Sequence, residues 1–133
     1  MQAGREPKYR AFVHSIKWLV DVAMIDFFDK EVELDMSGTG DTAYYRFDEI
    51  DLMQFTGLCD KNGKEIFEED ILETRDDDGS FYLKVIYDEE YARYWFVDEA
   101  DNGYCYAPDE FDRDEILVIG NIYENPELLE VGN

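Results

Sequence analysis

Residues 60–64 read Asp60-Lys61-Asn62-Gly63-Lys64, and the architecture can be read outward from this stretch. Asn-Gly between two apolar runs marks a tight hairpin turn, because both residues tolerate positive φ. Upstream, Ile50, Leu52, Met53 and Phe55 form a short apolar stretch ending at Gly57; downstream, residues 66–74 read as a strand that accommodates Asp70. Residues 76–79 form a second turn, and residues 81–87, 94–97 and 104–106 are strands separated by turns bearing Asp, Glu, Asn and Gly. Short strands at intervals of about ten residues predict a mainly β fold, a small barrel or sandwich.

Toward the start, residues 9–13 alternate weakly, with Tyr9, Ala11 and Val13 on one side. Residues 18–28 are apolar on nearly all sides: Val20, Val22, Met24 and Asp26 fit one strand face, while Val20, Met24 and Phe27 also fit a helix. Two Val and an Ile without an upstream capping box favour the strand. Residues 30–36 alternate, with Val32, Leu34 and Met36 inward and Glu31, Glu33 and Asp35 in water, after a turn at Asp29 and Lys30. Gly38, Thr39, Gly40 and Asp41 form a flexible connection too short to be a free linker. It is the candidate boundary between a β-rich N-terminal subdomain, residues 1–41, and residues 42–133, the two expected to form one compact unit. Residues 43–47 are a strand. At the other end, residues 116–123 read as a strand in which Gly120 marks a bulge or a close backbone approach. Asn125 has N-cap chemistry, Pro126 suits the first helical position and Glu127 complements the dipole, so a short terminal helical turn follows.

The chain has 133 residues, of which 45% are hydrophobic and 16% aromatic, enough apolar surface to fold. Against this, 34 Asp and Glu face 12 Lys and Arg, a net charge of −22. That sign argues against unaided binding to nucleic acid or to an anionic membrane. No uncharged apolar run approaches the ~18 residues of a membrane span, and the start lacks the layout of a secretory signal. The sequence therefore reads as soluble and cytosolic. Cys59 and Cys105 are the only cysteines and form no CxxC, which suggests neither a zinc site nor a disulfide framework.

Charge is unevenly placed. Residues 1–20 hold Arg5, Lys8, Arg10 and Lys17 against Glu6 alone. Residues 73–115 hold fifteen acids against Arg75, Lys84, Arg93 and Arg113, interleaved with Tyr and Phe and with Trp95. The plain reading is a strand-rich domain with a solvated acidic exterior. The sharper reading is an acidic, aromatic face that contacts a partner. Its candidate residues are Asp76, Asp77, Asp78, Asp88, Glu89, Glu90, Tyr91, Trp95, Asp98, Glu99 and Asp101.

No catalytic constellation emerges. His14 is the only histidine and has no metal-ligand spacing; Ser15, Ser37 and Ser80 lack a nucleophile elbow; there is no P-loop and no G-x-G-x-x-G. Asp98, Asn102 and Gly103 match positions 1, 5 and 6 of a calcium loop, but Ala100 and Asp109 break the pattern. Asp76-Asp77-Asp78-Gly79 reads as a solvated turn rather than an ion site. No metal, cofactor or catalytic residue is expected.

The stretch 52–58 (Leu-Met-Gln-Phe-Thr-Gly-Leu), the run 60–71 around Asn62-Gly63, and the distant run 118–129 (Val-Ile-Gly-Asn-Ile-Tyr-Glu-Asn-Pro-Glu-Leu-Leu) resemble the YopX-like family of phage and prophage proteins. Tyr9-Arg10-Ala11-Phe12 is similar to the family's opening strand. The motif residues of the resemblance are Gln54, Thr56, Gly57, Asn62, Gly63, Asp70, Gly120, Asn121, Tyr123, Asn125 and Pro126, with structural roles. Glu69 stands where the family usually has Gly, which matters if that position adopts positive φ. Phe55 and Phe67 stand where Tyr is common. The resemblance implies a β-rich N-terminal part joined to a small SH3-like barrel, and a life in the cytoplasm of a bacterial host. It brings no activity and no catalytic residue.

Two functions of different class follow as expectations. The first is a non-enzymatic interaction module, self-associating into a homo-oligomer, whose aromatic sheet edges or faces bind a phage or host protein. The second is an acidic DNA mimic that inhibits a host DNA-binding protein. The expected folded surface is ~7,300 Å², giving one excess charge per ~330 Å² against one per ~110 Å² for B-DNA. Mimicry thus requires the acids, Glu73 among them, to concentrate on one face. A carboxylate and metal hydrolase is a residual third reading.

Overall fold

The computed structural model describes residues 6–38 and 40–129. Arg5 of the basic start and Thr39 of the glycine-rich connection lie outside the described residues. The chain divides into two compact units, Met1–Phe55 and Thr56–Asn133. The connection at residues 38–41 lies within the first unit, because the strands on either side of it pair with each other.

In the first unit β1 (Tyr9–Val13), β2 (Trp18–Asp26), β3 (Glu31–Asp35), β4 (Thr42–Arg46) and the start of β5 (Ile50–Cys59) form an antiparallel sheet in the order β4-β3-β2-β1-β5. β5 runs through the division, and β6 (Glu65–Phe67) flanks it in the sheet order. The segment that fitted either a helix or a strand is a strand, since its β-branched residues find partners across the ladder: Val20 stands opposite Ala11, Val22 opposite Leu34 and Ile25 opposite Val32. Ala11, Val13, Val32, Leu34 and Ile50 are buried together, with Val20, Val22 and Ile25 against them. The alternation of β3 is as its sequence predicts, with Val32 and Leu34 inward.

In the second unit β7 (Asp70–Asp76), β8 (Gly79–Asp88), β9 (Arg93–Asp98), β10 (Tyr104–Tyr106) and β11 (Leu117–Asn121) form an antiparallel sheet in the order β10-β9-β8-β7-β11. Leu72, Leu83, Val85 and Phe96 occupy its core with Ile66, Ile116 and Val118. Both sheet orders are open. The fold is mainly β, and its helical content among the described residues is a set of short 3₁₀ turns.

Three local readings change. Residues 66–74 are not one strand: Glu69 takes φ 70° and turns the chain between β6 and β7, its N–H donating to the Val85 carbonyl at 2.8 Å. The last strand stops at Asn121, whose Oδ1 accepts the N–H groups of Tyr123 and Glu124 at 3.0 and 2.9 Å and folds the chain into a turn. Asn125 is not a side-chain cap of the 3₁₀ turn Pro126–Leu129; its Oδ1 accepts the Asn121 N–H at 3.3 Å instead. The bulge expected at Gly120 is present, between Val118 and Gly120.

Candidate interaction site

The register of the second sheet separates the eleven candidate partner residues into three groups along β8. Asp76 pairs with Gly79 at one end of that strand, with Asp77 and Asp78 at the tip of the turn. Asp88 pairs with Arg93 at the other end, about 30 Å away for a ten-residue strand. Val97 stands opposite Lys84, so the 3₁₀ turn Glu99–Asp101 begins near the middle, where Glu99 Oε1 lies 3.8 Å from Lys84 Nζ. The meander brings Asp88, Glu89, Glu90, Tyr91 and Trp95 together at one hairpin and keeps the other two groups apart from it.

That β8–β9 hairpin is tightly organised. Asp88 Oδ1 accepts the N–H groups of Glu90 and Tyr91 at 2.9 and 3.4 Å, and its Oδ2 accepts the Trp95 indole N–H at 3.0 Å. The Arg93 guanidinium lies over the Trp95 ring, 3.7 Å from its centroid. Tyr87 and Tyr94 meet edge to face with centroids 5.2 Å apart. Ala92 turns the chain at φ 54°. Tyr91 is left 67% exposed and Tyr87 42%, beside the exposed Glu89 and Glu90. Sequence reading counted Arg93 only as a charge; its place two residues before Trp95 on the same strand face was the available signal.

The other two groups differ in character. Asp76 Oδ1 accepts the Asp78 N–H at 2.8 Å in an exposed turn. Asp98 is buried, and its Oδ1 accepts from Ala100 and Asp101 at 3.1 and 3.2 Å. Burial raises the pKa of the Tyr106 phenol above its usual value, and the negative charges around it, led by Asp98, push in the same direction.

The motif residues form the frame. Asp60 is buried; its Oδ1 accepts the N–H groups of Asn62 and Lys64, each at 2.9 Å, and its Oδ2 accepts the N–H of Val118, also at 2.9 Å. Arg113 Nε donates to the Asp60 carbonyl at 2.9 Å. Burial pushes the Asp60 carboxyl up, but the bonds from Val118, Lys64 and Asn62 and the Lys64 charge outweigh it, so its pKa is lowered. Gly63 takes φ 81° and Gly57 φ 90°. Thr56 Oγ1 donates to the Ile66 carbonyl at 2.7 Å, and Asp70 Oδ2 accepts the Phe67 N–H at 2.8 Å. Gln54 stands opposite Tyr9 in the ladder. Gly120 lies where a Cβ would stand 2.7 Å from Asn125 Cγ. Asp60, taken from sequence as a turn residue, is the hub that sequence reading missed; an Asp opening a turn with Asn-Gly gives no sign of a partner near residue 118.

Elsewhere, Asp26, Asp29 and Glu31 bring carboxylate oxygens within 4.8 Å of one another at the β2–β3 turn, where Asp26 Oδ1 accepts the N–H groups of Phe28 and Asp29. His14 Nε2 lies 3.0 Å from Asp51 Oδ1 on the surface. Cys59 is half-buried and Cys105 exposed, and both are free thiols. No described helix is long and apolar enough to cross a membrane.

Comparison with known proteins assigns the framework. No curated protein matches the chain. Among solved structures, it is similar to protein EF1440 from Enterococcus faecalis, at 31% identity and TM-score 0.68, covering 96% of this chain and 100% of that one. It is also similar in fold to protein yopX from Bacillus subtilis, at 21% identity and TM-score 0.62, covering 92% of this chain and 98% of that one. A family model described as YopX protein matches residues 8–130, and the chain thus belongs to the YopX family.

Proposed function

We propose that this chain is a non-enzymatic, self-associating interaction module that binds a phage or host protein through its β8–β9 hairpin. The observation that carries the reading is the Asp88 carboxylate, which fixes the turn and the Trp95 ring at once. A turn held this way loses little entropy on binding, and Tyr, Trp and Arg are the residues that dominate interface energetics. Tyr91 beside Glu89 and Glu90 suits a partner that offers an apolar pocket with a basic rim. An SH3-like barrel for the second unit, a phage or prophage origin and action in the cytoplasm of a bacterial host complete the proposal, as the resemblance implies. DNA mimicry gains no support from the three separated acid groups.

The test is a tagged pull-down from nuclease-treated host lysate, with stepwise salt elution and mass spectrometry, run for the parent and for two variants. A partner lost with the triple variant Glu89→Lys, Glu90→Lys, Tyr91→Ala but retained by Asp77→Lys, Asp78→Lys, and indifferent to duplex DNA, supports the hairpin reading. A partner displaced by duplex DNA at moderate salt supports mimicry instead.

A further inference from the structure

The free edge of the first sheet carries none of the chain's 34 acids. β4 reads Thr42-Ala43-Tyr44-Tyr45-Arg46, has β3 as its one ladder partner among the described residues, and pairs with it without a bulge. Its neighbour β3 carries Glu31, Glu33 and Asp35. Soluble proteins protect such an edge with charge, proline, a bulge or a covering segment; β4 has no proline and no bulge, and its one charge is Arg46.

The direction of its main-chain groups follows from the bonds at the two ends of the hairpin. Met36 N–H donates to the Asp41 carbonyl at 2.9 Å and Phe47 N–H to the Lys30 carbonyl at 2.9 Å. Hydrogen-bonded pairs alternate along an antiparallel ladder. The pairs 43 with 34 and 45 with 32 are therefore bonded, and Thr42, Tyr44 and Arg46 turn their main-chain groups away from β3. The Arg46 N–H is taken by Glu49 Oε1 at 2.8 Å. The N–H and C=O groups of Thr42 and Tyr44 and the C=O of Arg46 face the open edge.

This set is self-complementary about Tyr44. We infer that β4 pairs antiparallel with β4 of a second copy, on a two-fold axis through Tyr44. Tyr44 then exchanges both of its outward bonds with Tyr44 of the second copy, and each Thr42 N–H donates to the Arg46 carbonyl across the axis, leaving Arg46 N–H on Glu49. The two Tyr44 rings, 63% exposed in the single chain, stack across the new ladder. Charge is complementary as well: Arg46 of the second copy arrives beside Thr42, whose Oγ1 donates to Glu33 Oε2 at 2.8 Å. A five-residue edge buries little surface, so the association belongs to the weak class of interfaces. The inference rests on, and gives a surface to, the self-association in the proposal above.

The test uses the full chain carrying Cys59→Ser and Cys105→Ser, with single cysteines returned at chosen sites. Tyr44→Cys should form a reducible covalent dimer under mild oxidation, because a bonded antiparallel pair sets its Cα atoms ~5.5 Å apart, within disulfide reach. Thr42→Cys alone should not, whereas Thr42→Cys mixed with Arg46→Cys should. In sedimentation, the parent should dimerise more tightly at ~150 mM than at ~10 mM salt, since screening relieves repulsion between two acidic copies. Tyr44→Pro, which removes only an outward donor, should weaken the dimer at least tenfold while keeping its β-sheet circular dichroism. A parent dimer that keeps its affinity with Tyr44→Pro, or equal crosslinking at 42 and 44, overturns the β4 pairing and leaves self-association standing. A parent monomeric at every soluble concentration overturns both, while capture through the β8–β9 hairpin is read separately in the pull-down.

Discussion

Asp60 Oδ2 accepts the backbone N–H of Val118 at 2.9 Å across 58 positions of sequence, and so ties the Asn62-Gly63 turn to the last strand. Asp60→Ala leaves the N–H groups of Asn62, Lys64 and Val118 without their acceptor and should cost about 2–4 kcal/mol in urea unfolding at neutral pH. The folded pKa of Asp60 lies below its unfolded value, so its contribution is complete above that value and fades as pH falls through the folded pKa. The stability gap between the parent and Asp60→Asn should therefore be constant near neutrality and shrink below about pH 4. A gap that instead widens on acidification refutes the assignment.

Glu69 holds φ 70°, a conformation in which glycine escapes the Cβ penalty. Glu69→Gly should stabilise the protein by about 0.5–1 kcal/mol, despite glycine's greater freedom in the unfolded chain, and raise the melting temperature. Glu69→Val should lower it, since a β-branched residue tolerates that conformation least. Opposite signs for the two variants in thermal melts are the check.

The strands were legible because their burial is local: Val32 and Leu34 alternate with Glu31, Glu33 and Asp35, and one face of β3 goes inward. The Gly120 bulge was legible for a similar reason, as a glycine interrupting an apolar run. What sequence hid was set by distant or conformational partners. Asp60 looks like any turn aspartate until Val118 arrives, and β4 belongs with β3 although Gly38 and Gly40 between them look like a boundary. Glu69 breaks a run that reads as one strand, because nothing in its chemistry announces a positive φ. At the candidate site, the acids were visible as a group in sequence, but the antiparallel register, not composition, decides that only Asp88, Glu89 and Glu90 share a hairpin with Tyr91 and Trp95.

Gly120 permits the Asn121 to Asn125 turn to close against the bulge. Gly120→Ala places its methyl 2.7 Å from Asn125 Cγ, so the Asn125 side chain must leave its bond to the Asn121 N–H. The cost should be about 1–3 kcal/mol. Pairing it with Asn125→Ala, which removes the amide but leaves the residue-125 Cβ at 2.9 Å, should recover part of the loss in a double-mutant cycle. Strict additivity of the two would mean that the close approach does not limit stability.

Net charge makes the last expectation quantitative. The folded surface of 8387 Å² carries one excess negative charge per ~380 Å², a mean spacing of ~20 Å, which is shorter than the ~30 Å Debye length at 10 mM salt and longer than the ~8 Å at 150 mM. Neighbouring acids therefore repel one another across the folded surface at low salt and are largely screened at physiological salt, whereas the extended unfolded chain relieves the repulsion in either case. The exposed His14–Asp51 hydrogen bond and Arg46–Asp48 ion pair have side chains roughly half or more in solvent, and contacts of that kind add little that salt can remove. Salt should then act mainly on repulsion, and the melting temperature should rise by several degrees between ~10 and ~150 mM potassium chloride. The same scan on a variant with Asp77→Lys and Asp78→Lys should begin from a higher melting temperature and rise less, since two charges of the Asp76–Gly79 turn change sign without loss of the Asp76 bond to the Asp78 N–H. A parent melting temperature that stays flat or falls with salt would mean that attractive pairs, not repulsion, dominate the surface.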